Sequence, residues 1–308
     1  MSNLADAVFA HAFSEPDRVA VRASGYDLTF GALRDAAAAL AARARRAGLA
    51  PGARVLLVAP NVPELVAASY GLAAAGATLL TVHPRATASE TRHAVDDADV
   101  RLVVAWHECA DVAERIALTS DLPFWRLGPL ETWDVRERVF APVDLPDEAT
   151  ALIVPPSGTD GRPTSARLSL ASVAATADAA AHAWGFDEDD RAGTALPLSD
   201  VFGQLVMHVA ISAGTAFSLL HPFDPQGLVA RVRDDQLSIV SALPSTWCAV
   251  LRGDTPATRN DFADVRLAST GGAAVPVEVA WAFEKRFSVR LHADHGSPQT
   301  FGPAAVSA

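Results

Sequence analysis

Apolar positions along the chain fall into two kinds of segment, which alternate. Longer segments with apolar residues at helical spacing are residues 31–47, 64–75, 89–97, 170–183, 201–213, 228–235, 245–251 and 277–287. Short aliphatic and β-branched runs lie between them, at residues 53–59, 78–82, 101–105, 151–154, 192–196, 215–220, 239–242, 265–269 and 289–293. Strands that alternate with helices favour βαβ units, so the pattern predicts an α/β fold with a mainly parallel sheet.

The pattern also predicts two subdomains. Residues 107–148 have mixed character and contain several prolines, and we interpret residues 142–148 as a connector. We therefore expect an N-terminal α/β subdomain at 1–148 and a second α/β subdomain at 149–308. Leu65–Val82 is an uncharged run of 18 residues, long enough to suggest a membrane span. Its alanines and glycines favour a buried helix followed by a buried strand instead.

Composition narrows the classes of function. Half of the 308 residues are hydrophobic and a fifth are charged, as in a compact globular protein. The net charge of −11 disfavours nucleic acid or an anionic membrane as a partner. Cys109 and Cys248 lie far apart without metal-ligand spacing, and no basic segment precedes an apolar run at the N-terminus. These features predict a reduced, cytoplasmic protein without a signal peptide.

The candidate chemistry begins with a loop at residues 157–164, Ser-Gly-Thr-Asp-Gly-Arg-Pro-Thr. Glycine allows the backbone to approach a ligand closely, and successive backbone N–H groups can cradle an anion. A fixed cation usually completes such a phosphate site, but Thr164 stands in that place and the acidic Asp160 lies inside the loop. The loop is therefore either a working nucleotide site or the remains of one.

Further motifs share an order along the chain. They lie at residues 28–33, 48–55, 60–64, 75–77, 157–163, 197–203, 270–276 and 295–300. In this order they resemble the large N-terminal domain of adenylate-forming enzymes, the acyl- and aryl-CoA ligase group. The resemblance implies two mainly parallel sheets flanked by helices in an αβαβα arrangement, without the family's C-terminal lid because the chain stops at Ala308.

The resemblance also implies ligands and site residues. The expected ligands are ATP or AMP with Mg²⁺, none of them required for folding, and a small carboxylic acid or acyl group. The implied nucleotide-site residues are Ser157, Gly158, Thr159, Asp160, Gly161, Thr164, Gly271, Gly272, Ala273, Ala274, His295, Gly296, Gln299 and Thr300. The implied acyl-pocket residues, in the segment that gates the pocket, are Asp200, Val201, Phe202 and Gly203.

Several positions depart from the family pattern. Thr164 replaces the usual lysine, Asp160 a hydroxyl residue, Asp200 a histidine, His295 a tyrosine, and Gln299 the glutamate that helps to hold Mg²⁺. A unit charge about 6 Å from a phosphate contributes roughly 3 kcal/mol at an effective dielectric near 20. The loss of the loop lysine and the gain of Asp160 both act against ATP, so we expect ATP·Mg²⁺ to bind weakly.

Other polar groups have simpler explanations than chemistry. His292, Asp294 and His295 lie close in sequence, but their spacing matches no strong zinc or iron motif, so no metal site is predicted. Asp200 and His208 lie eight residues apart on one helix face and form a possible acid/base pair. An aspartate at a helix start, favoured by the helix dipole, is the preferred interpretation.

Two functions follow as hypotheses. The first is an acyl-CoA ligase-like protein with impaired or absent adenylation, which serves as a binding or regulatory pseudoenzyme in carboxylate metabolism. The alternative is an active ligase completed by a separate lid chain. Either way, the apolar residues Phe301, Pro303, Ala304, Ala305 and Val306 are expected at a bare edge. We therefore expect a homodimer or partner protein to cover the face at residues 295–308.

Overall fold

The computed structural model describes residues 2–23, 25–136, 140–155, 165–221, 224–252 and 257–306. The helices are α1 Asp6–Ser14, α2 Phe30–Arg46, α3 Pro63–Ala74, α4 Ala88–Ala98, α5 Ala110–Thr119, α6 Leu170–Trp184, α7 Val201–Ser212, α8 Pro225–Asp234, α9 Pro244–Arg252 and α10 Val277–Phe287. The strands are β1 Val19–Ala23, β2 Tyr26–Thr29, β3 Arg54–Val58, β4 Thr78–Val82, β5 Leu102–Trp106, β6 Phe124–Leu127, β7 Thr150–Val154, β8 Ala166–Ser169, β9 Arg191–Thr194, β10 Ala216–Leu219, β11 Ile239–Ala242, β12 Leu267–Thr270, β13 Leu291–Ser297 and β14 Gly302–Val306.

Two mainly parallel sheets flanked by helices form the fold, as predicted. The six-stranded sheet has the order β6-β5-β3-β4-β7-β8, and the eight-stranded sheet has the order β14-β13-β12-β11-β9-β10-β1-β2. Inner neighbours pair in parallel, whereas β8, β2 and β14 pair antiparallel with β7, β1 and β13 at the edges. Parallel strands place their carboxyl ends on one side, which is where open α/β sheets bind ligands.

Each sheet takes strands from both sides of residue 149. β1 and β2 belong to the eight-stranded sheet, and β7 and β8 belong to the six-stranded sheet. The largest hydrophobic cluster likewise includes Leu57 and Leu79 of the smaller sheet together with Val21 and Phe217 of the larger one. The division into two subdomains near residue 149 stays a prediction.

The uncharged run at residues 65–82 is buried inside the protein. Every residue of α3 is buried, and so is every residue of β4. Among the residues that the structure describes, no helix is long and apolar enough to cross a membrane. The prediction of a buried helix followed by a buried strand is confirmed.

The apolar pattern did not resolve several elements, among them α1, β1, β2 and β8. The mixed stretch 107–148 contains α5 and β6, which pack on the smaller sheet. In addition, β13 continues to Ser297 instead of ending at residue 293, because β14 pairs with it antiparallel from Asp294 to Ser297. This extension carries a buried aspartate into the wall of the cavity described below.

A charged cluster fixes the end of α6 against the larger sheet. Asp190 is buried, and its carboxylate accepts hydrogen bonds from Arg266 Nε at 2.9 Å and from the Ser238 hydroxyl at 2.7 Å. Arg266 also donates to the carbonyl of Trp184, the last residue of α6, at 3.0 Å. These contacts join the end of α6 to the strands of the larger sheet.

Candidate functional site

A cavity of about 790 Å³ lies where strands of both sheets end. Its lining residues follow or terminate β4, β7, β9, β11, β12 and β13; they include His83, Pro155, Leu196, Leu243 and Gly272. The size suits a small organic ligand, and the position at the carboxyl ends of parallel strands is the usual one in open α/β sheets.

The predicted acyl-pocket residues line this cavity together. Asp200, Val201, Phe202 and Gly203 all belong to the wall. Asp200 is the N-cap residue of α7, yet its side chain makes no capping hydrogen bond, and the residue is accessible to solvent. The carboxyl group is therefore available to a ligand.

The segment before α7 is held in place from the smaller sheet. The Asn61 side chain donates to the carbonyl of Leu196 at 2.8 Å and accepts from the N–H of Leu198 at 2.9 Å. The Thr81 hydroxyl donates to the carbonyl of Ser199 at 2.9 Å. These contacts give the gating segment a fixed shape. The roles of Asn61 and Thr81 could not be found from the sequence, since their partners lie more than a hundred residues away.

Asp200 and His83 influence each other's ionisation. Although Asp200 is exposed at its surface, the protein atoms packed around its carboxyl group raise its pKa, while the charge of His83 and the nearby Ser199 side chain oppose the rise. Burial and the nearby Arg85 lower the pKa of His83, and Asp200 opposes that change. His83 is therefore mostly neutral at pH 7 and offers Asp200 little positive charge.

Part of the predicted nucleotide site also reaches the cavity. Gly271, Gly272 and Gly296 line it. A Cβ at Gly271 would lie 3.0 Å from the carbonyl oxygen of Asp294 and 3.1 Å from a ring carbon of Phe202, so only glycine fits there without displacement. Gly272 has φ near +78°, which also favours glycine. This turn presents a flat backbone surface to the cavity.

The remaining predicted nucleotide residues are distributed differently. Ala273, Ala274, His295, Gln299 and Thr300 are exposed and do not line the cavity. Their assignment to a nucleotide site stays a prediction.

The phosphate-like loop itself, with Ser157, Gly158, Thr159, Asp160, Gly161 and Thr164, lies outside the described residues. Val154, Pro155 and Ser165, which flank the segment left undescribed, do line the cavity.

His208 belongs to the core and not to the cavity lining. Its Nδ1 lies 3.1 Å from the hydroxyl of Tyr70, both residues are buried, and burial lowers the pKa of His208 to about 4. An acid/base partnership with Asp200 has no support in this arrangement. Among the described residues, no group of three or more His, Cys, Asp or Glu side chains is placed to hold a metal ion.

The expected bare edge near the C-terminus needs one correction. Phe301 is fully buried, and its ring centroid lies 6.0 Å from that of His208. It packs into the core because the turn before β14 directs it against α7, so the expectation that Phe301 lies on an uncovered edge is wrong. A homodimer or partner at residues 295–308 stays a prediction.

Comparisons with known proteins agree with the fold. The chain is 29% identical over 269 residues to a feruloyl-CoA synthase of Amycolatopsis sp, covering 86% of this chain and 53% of that protein. It is 26% identical to a long-chain-fatty-acid–CoA ligase of Bacillus subtilis, covering 91% of this chain and 57% of the relative. The chain thus spans a little over half the length of these relatives.

Solved structures show the same fold. ATP-bound MatB from Rhodopseudomonas palustris superposes with a TM-score of 0.86 at 22% identity, covering 97% of this chain and 61% of MatB. The inhibitor-bound N-terminal domain of FACL13 from Mycobacterium tuberculosis gives a TM-score of 0.88 at 20% identity, covering 99% of this chain and 78% of that domain. The family described as AMP-binding enzyme matches residues 8–302. The chain belongs to the AMP-binding enzyme family.

Proposed function

We propose that this chain binds a small carboxylic acid and an adenine nucleotide as an acyl-CoA ligase-like protein whose own adenylation activity is impaired. The observation that carries the proposal is the shared cavity, which brings the gating segment 200–203 and the Gly271-Gly272 turn to one space. An acid-activating site needs both, because the acid must lie beside the nucleotide.

The charges around this space support the impairment. ATP is strongly anionic, and adenylyl transfer depends on positioning and on neutralisation of phosphate charge. Thr164 and Asp160 remove one positive charge and add one negative charge in the phosphate-like loop. The described lining residues include Glu90, Asp200 and Asp294 but no lysine or arginine. Neither the replacements in the loop nor the charges of the lining residues favour a bound triphosphate.

The residues present fit the nucleotide better than its metal. The Gly271-Gly272 turn lines the cavity without side chains, so a flat group such as a purine ring can approach its backbone. Mg²⁺ prefers anionic oxygen ligands, whereas Gln299 provides a neutral amide, is exposed and does not line the cavity. We therefore derive binding of the acid and of the adenine end of the nucleotide, and no metal-assisted step.

An active ligase completed by a separate lid chain is the second candidate. Membership of the AMP-binding enzyme family and the well-formed acid cavity favour it. The replacements at residues 160, 164 and 299 oppose it, because adenylation needs the charges that they remove.

Two measurements separate these functions. Titration calorimetry at low salt should show weak or undetectable binding of ATP with Mg²⁺, and the chain should release no pyrophosphate from ATP with a panel of acyl and aryl acids. The same panel without nucleotide should show direct binding of at least one acid. A micromolar dissociation constant for ATP·Mg²⁺, or sustained acid-dependent pyrophosphate release, would contradict the impairment and favour the active ligase.

A further inference from the structure

Asp294 is a buried carboxyl group without a hydrogen-bond partner in the cavity wall. The residue is 8% exposed and lines the cavity. Within the described structure, neither carboxylate oxygen has a hydrogen-bond partner. Buried polar groups are nearly always paired, and an unpaired buried charge is costly, so this carboxyl group requires a specific explanation.

The surroundings of Asp294 are polar and also incompletely paired. Trp184 Nε1, close enough to influence the Asp294 carboxyl group, is buried and lacks a partner among the described residues. Burial raises the pKa of Asp294 to about 7, and the nearby side chains of Trp184 and Ser269 oppose the rise without reaching full hydrogen-bond geometry. The Ser269 hydroxyl is already hydrogen-bonded to that of Ser241 at 2.8 Å. The protein therefore provides Asp294 with no strong partner of its own.

The cavity as a whole is poor in positive charge. Asp294 at its inner wall is joined by Asp200 and by Glu90, whose pKa is lowered by hydrogen bonds from Thr87 and which therefore stays ionised. The basic groups among the described lining residues are two histidines, and burial lowers the pKa of one of them, His83. A second anionic group on the acid would be repelled here, whereas a cation would be attracted.

We infer that Asp294 is a specificity-determining residue that binds a protonated amine on the substrate, so that the acid taken by this cavity is an amine-bearing carboxylic acid. An ammonium group donates hydrogen bonds to the carboxylate and also neutralises its charge. A hydroxyl group donates but leaves the charge uncompensated. The inference rests on the proposed function, since it names the substrate class of the same cavity.

Access to Asp294 involves Phe202. Both carboxylate oxygens are covered in the ligand-free chain. Phe202 lines the same cavity, lies against the Gly271 backbone beside Asp294, and packs on Trp184 with ring centroids 6.4 Å apart. In this proposal a rotation of the Phe202 ring, which is a small movement, admits the amine to Asp294.

Matched pairs of acids test the inference without any need for catalysis. Each pair exchanges an ammonium group for a methyl group of similar size: para-(aminomethyl)benzoate with para-ethylbenzoate, and ε-aminocaproate with heptanoate. Binding is measured by calorimetry on the whole chain, without nucleotide. We expect at least one amine-bearing acid to bind roughly tenfold more tightly than its match, the size of effect given by a charge-assisted hydrogen bond.

Three variants test whether Asp294 causes the preference for the amine-bearing acid. Asp294→Asn should abolish it, and Asp294→Leu should reverse it in favour of the alkyl acid. Asp189→Asn makes the same charge change at an exposed residue outside the cavity and should leave the preference intact. Thermal melting confirms that each variant is folded, and the wild-type preference stands as an independent readout.

The outcomes separate this inference from the function on which it rests. Equal binding within both pairs, tighter binding of the alkyl acids, or a preference that survives in Asp294→Asn would overturn the role of Asp294 while leaving acid binding established. Failure of every acid to bind would overturn both proposals.

Discussion

The close approach of α7 to the segment before it makes Gly203→Ala a direct test of how the cavity wall is built. A Cβ at Gly203 would lie 2.8 Å from the carbonyl carbon of Pro197 and 3.1 Å from the Cα of Leu198, and closer still to the Pro197 carbonyl oxygen. These are backbone atoms, and the Pro197 carbonyl also accepts the N–H of Asp200 at 3.0 Å. Backbone atoms of this kind cannot move aside as the end of a flexible side chain can.

The expected magnitude combines two opposing effects. Overpacking of a well-packed site costs about 1–3 kcal/mol, and contact with backbone on two sides places this variant at the upper end. Replacement of glycine by alanine inside a helix stabilises it by about 1 kcal/mol. The net loss in the free energy of unfolding is therefore about 2 kcal/mol, which lowers Tm by roughly 4 °C in a protein of this size.

Gly227→Ala is the matched control. Gly203 is the third residue of α7, and Gly227 is the third residue of α8. A Cβ at Gly227 would meet only the end of the Asp224 side chain, 2.6 Å from Oδ2. Because the Asp224 side chain can move, the variant loses only part of the N-cap of α8, which costs about 1 kcal/mol. The gain in helix propensity offsets this cost, so Tm should change little.

Thermal melting measures stability, and calorimetry with a bound acid measures the state of the cavity. Gly203→Ala should lower Tm and weaken acid binding together, because the displaced segment carries Asp200 and Phe202 into the wall. The reasoning fails if Gly203→Ala melts at the wild-type temperature. It also fails if Gly227→Ala is destabilised as strongly.

The remaining predictions concern charge. Asp190→Asn should lower the free energy of unfolding by about 2 kcal/mol, less than for a fully buried ion pair because the Arg266 side chain is 39% exposed. As a control, Asp234→Asn breaks an exposed ion pair and should change the free energy of unfolding by less than about 0.5 kcal/mol. Burial raises the pKa of Asp190, but hydrogen bonds from Arg266 and other donors together lower it by more than burial raises it. The pKa in the folded protein is therefore below the pKa in the unfolded chain. Urea unfolding should show the whole difference in unfolding free energy between wild type and Asp190→Asn at pH values above the unfolded pKa of about 4. The difference should shrink as the pH falls below that value. A difference that grows in acid would contradict a lowered pKa of Asp190 in the folded protein. Thr164→Lys combined with Asp160→Thr should raise ATP affinity in calorimetry at least tenfold, about 1.4 kcal/mol, and no gain would show that charge is not what weakens the site.

The elements that the sequence predicts best are those whose burial is complete. The run at residues 78–82 is buried on both faces of its strand, so it appears as an unbroken apolar segment and its bounds are as predicted. In contrast, Asp-His-Gly-Ser at residues 294–297 has low strand propensity and forms a strand only because β14 pairs with it. Local sequence contains no signal for that pairing.

The same distinction holds for the candidate site. The family resemblance implied an acyl pocket at residues 200–203 and a nucleotide site that includes residues 271–272; the structure shows that both sets line one cavity, and their roles stay predictions. Sequence reasoning did not find that Asn61 holds the gating segment or that Asp294 is an unpaired carboxyl group in the cavity wall. Both roles depend on residues that only folding brings close. The environment of Asp294 comes from Trp184 on α6 and Ser269 on β12, and only the folded arrangement reveals that no strong partner faces it.

The Asn61 contacts separate the architecture of the cavity from its chemistry. A single carboxamide joins the loop after β3 to the loop after β9 through both its donor and its acceptor, and Asn61 itself does not line the cavity. Aspartate would lose the donor and serine would lose the reach, so the amide itself is needed. In contrast, Asp200 and Phe202, which belong to or follow the segment that Asn61 holds, do line the cavity. The side chains that shape this cavity and the side chains that face its interior can therefore change independently, so the binding space and the chemistry inside it are open to separate alteration.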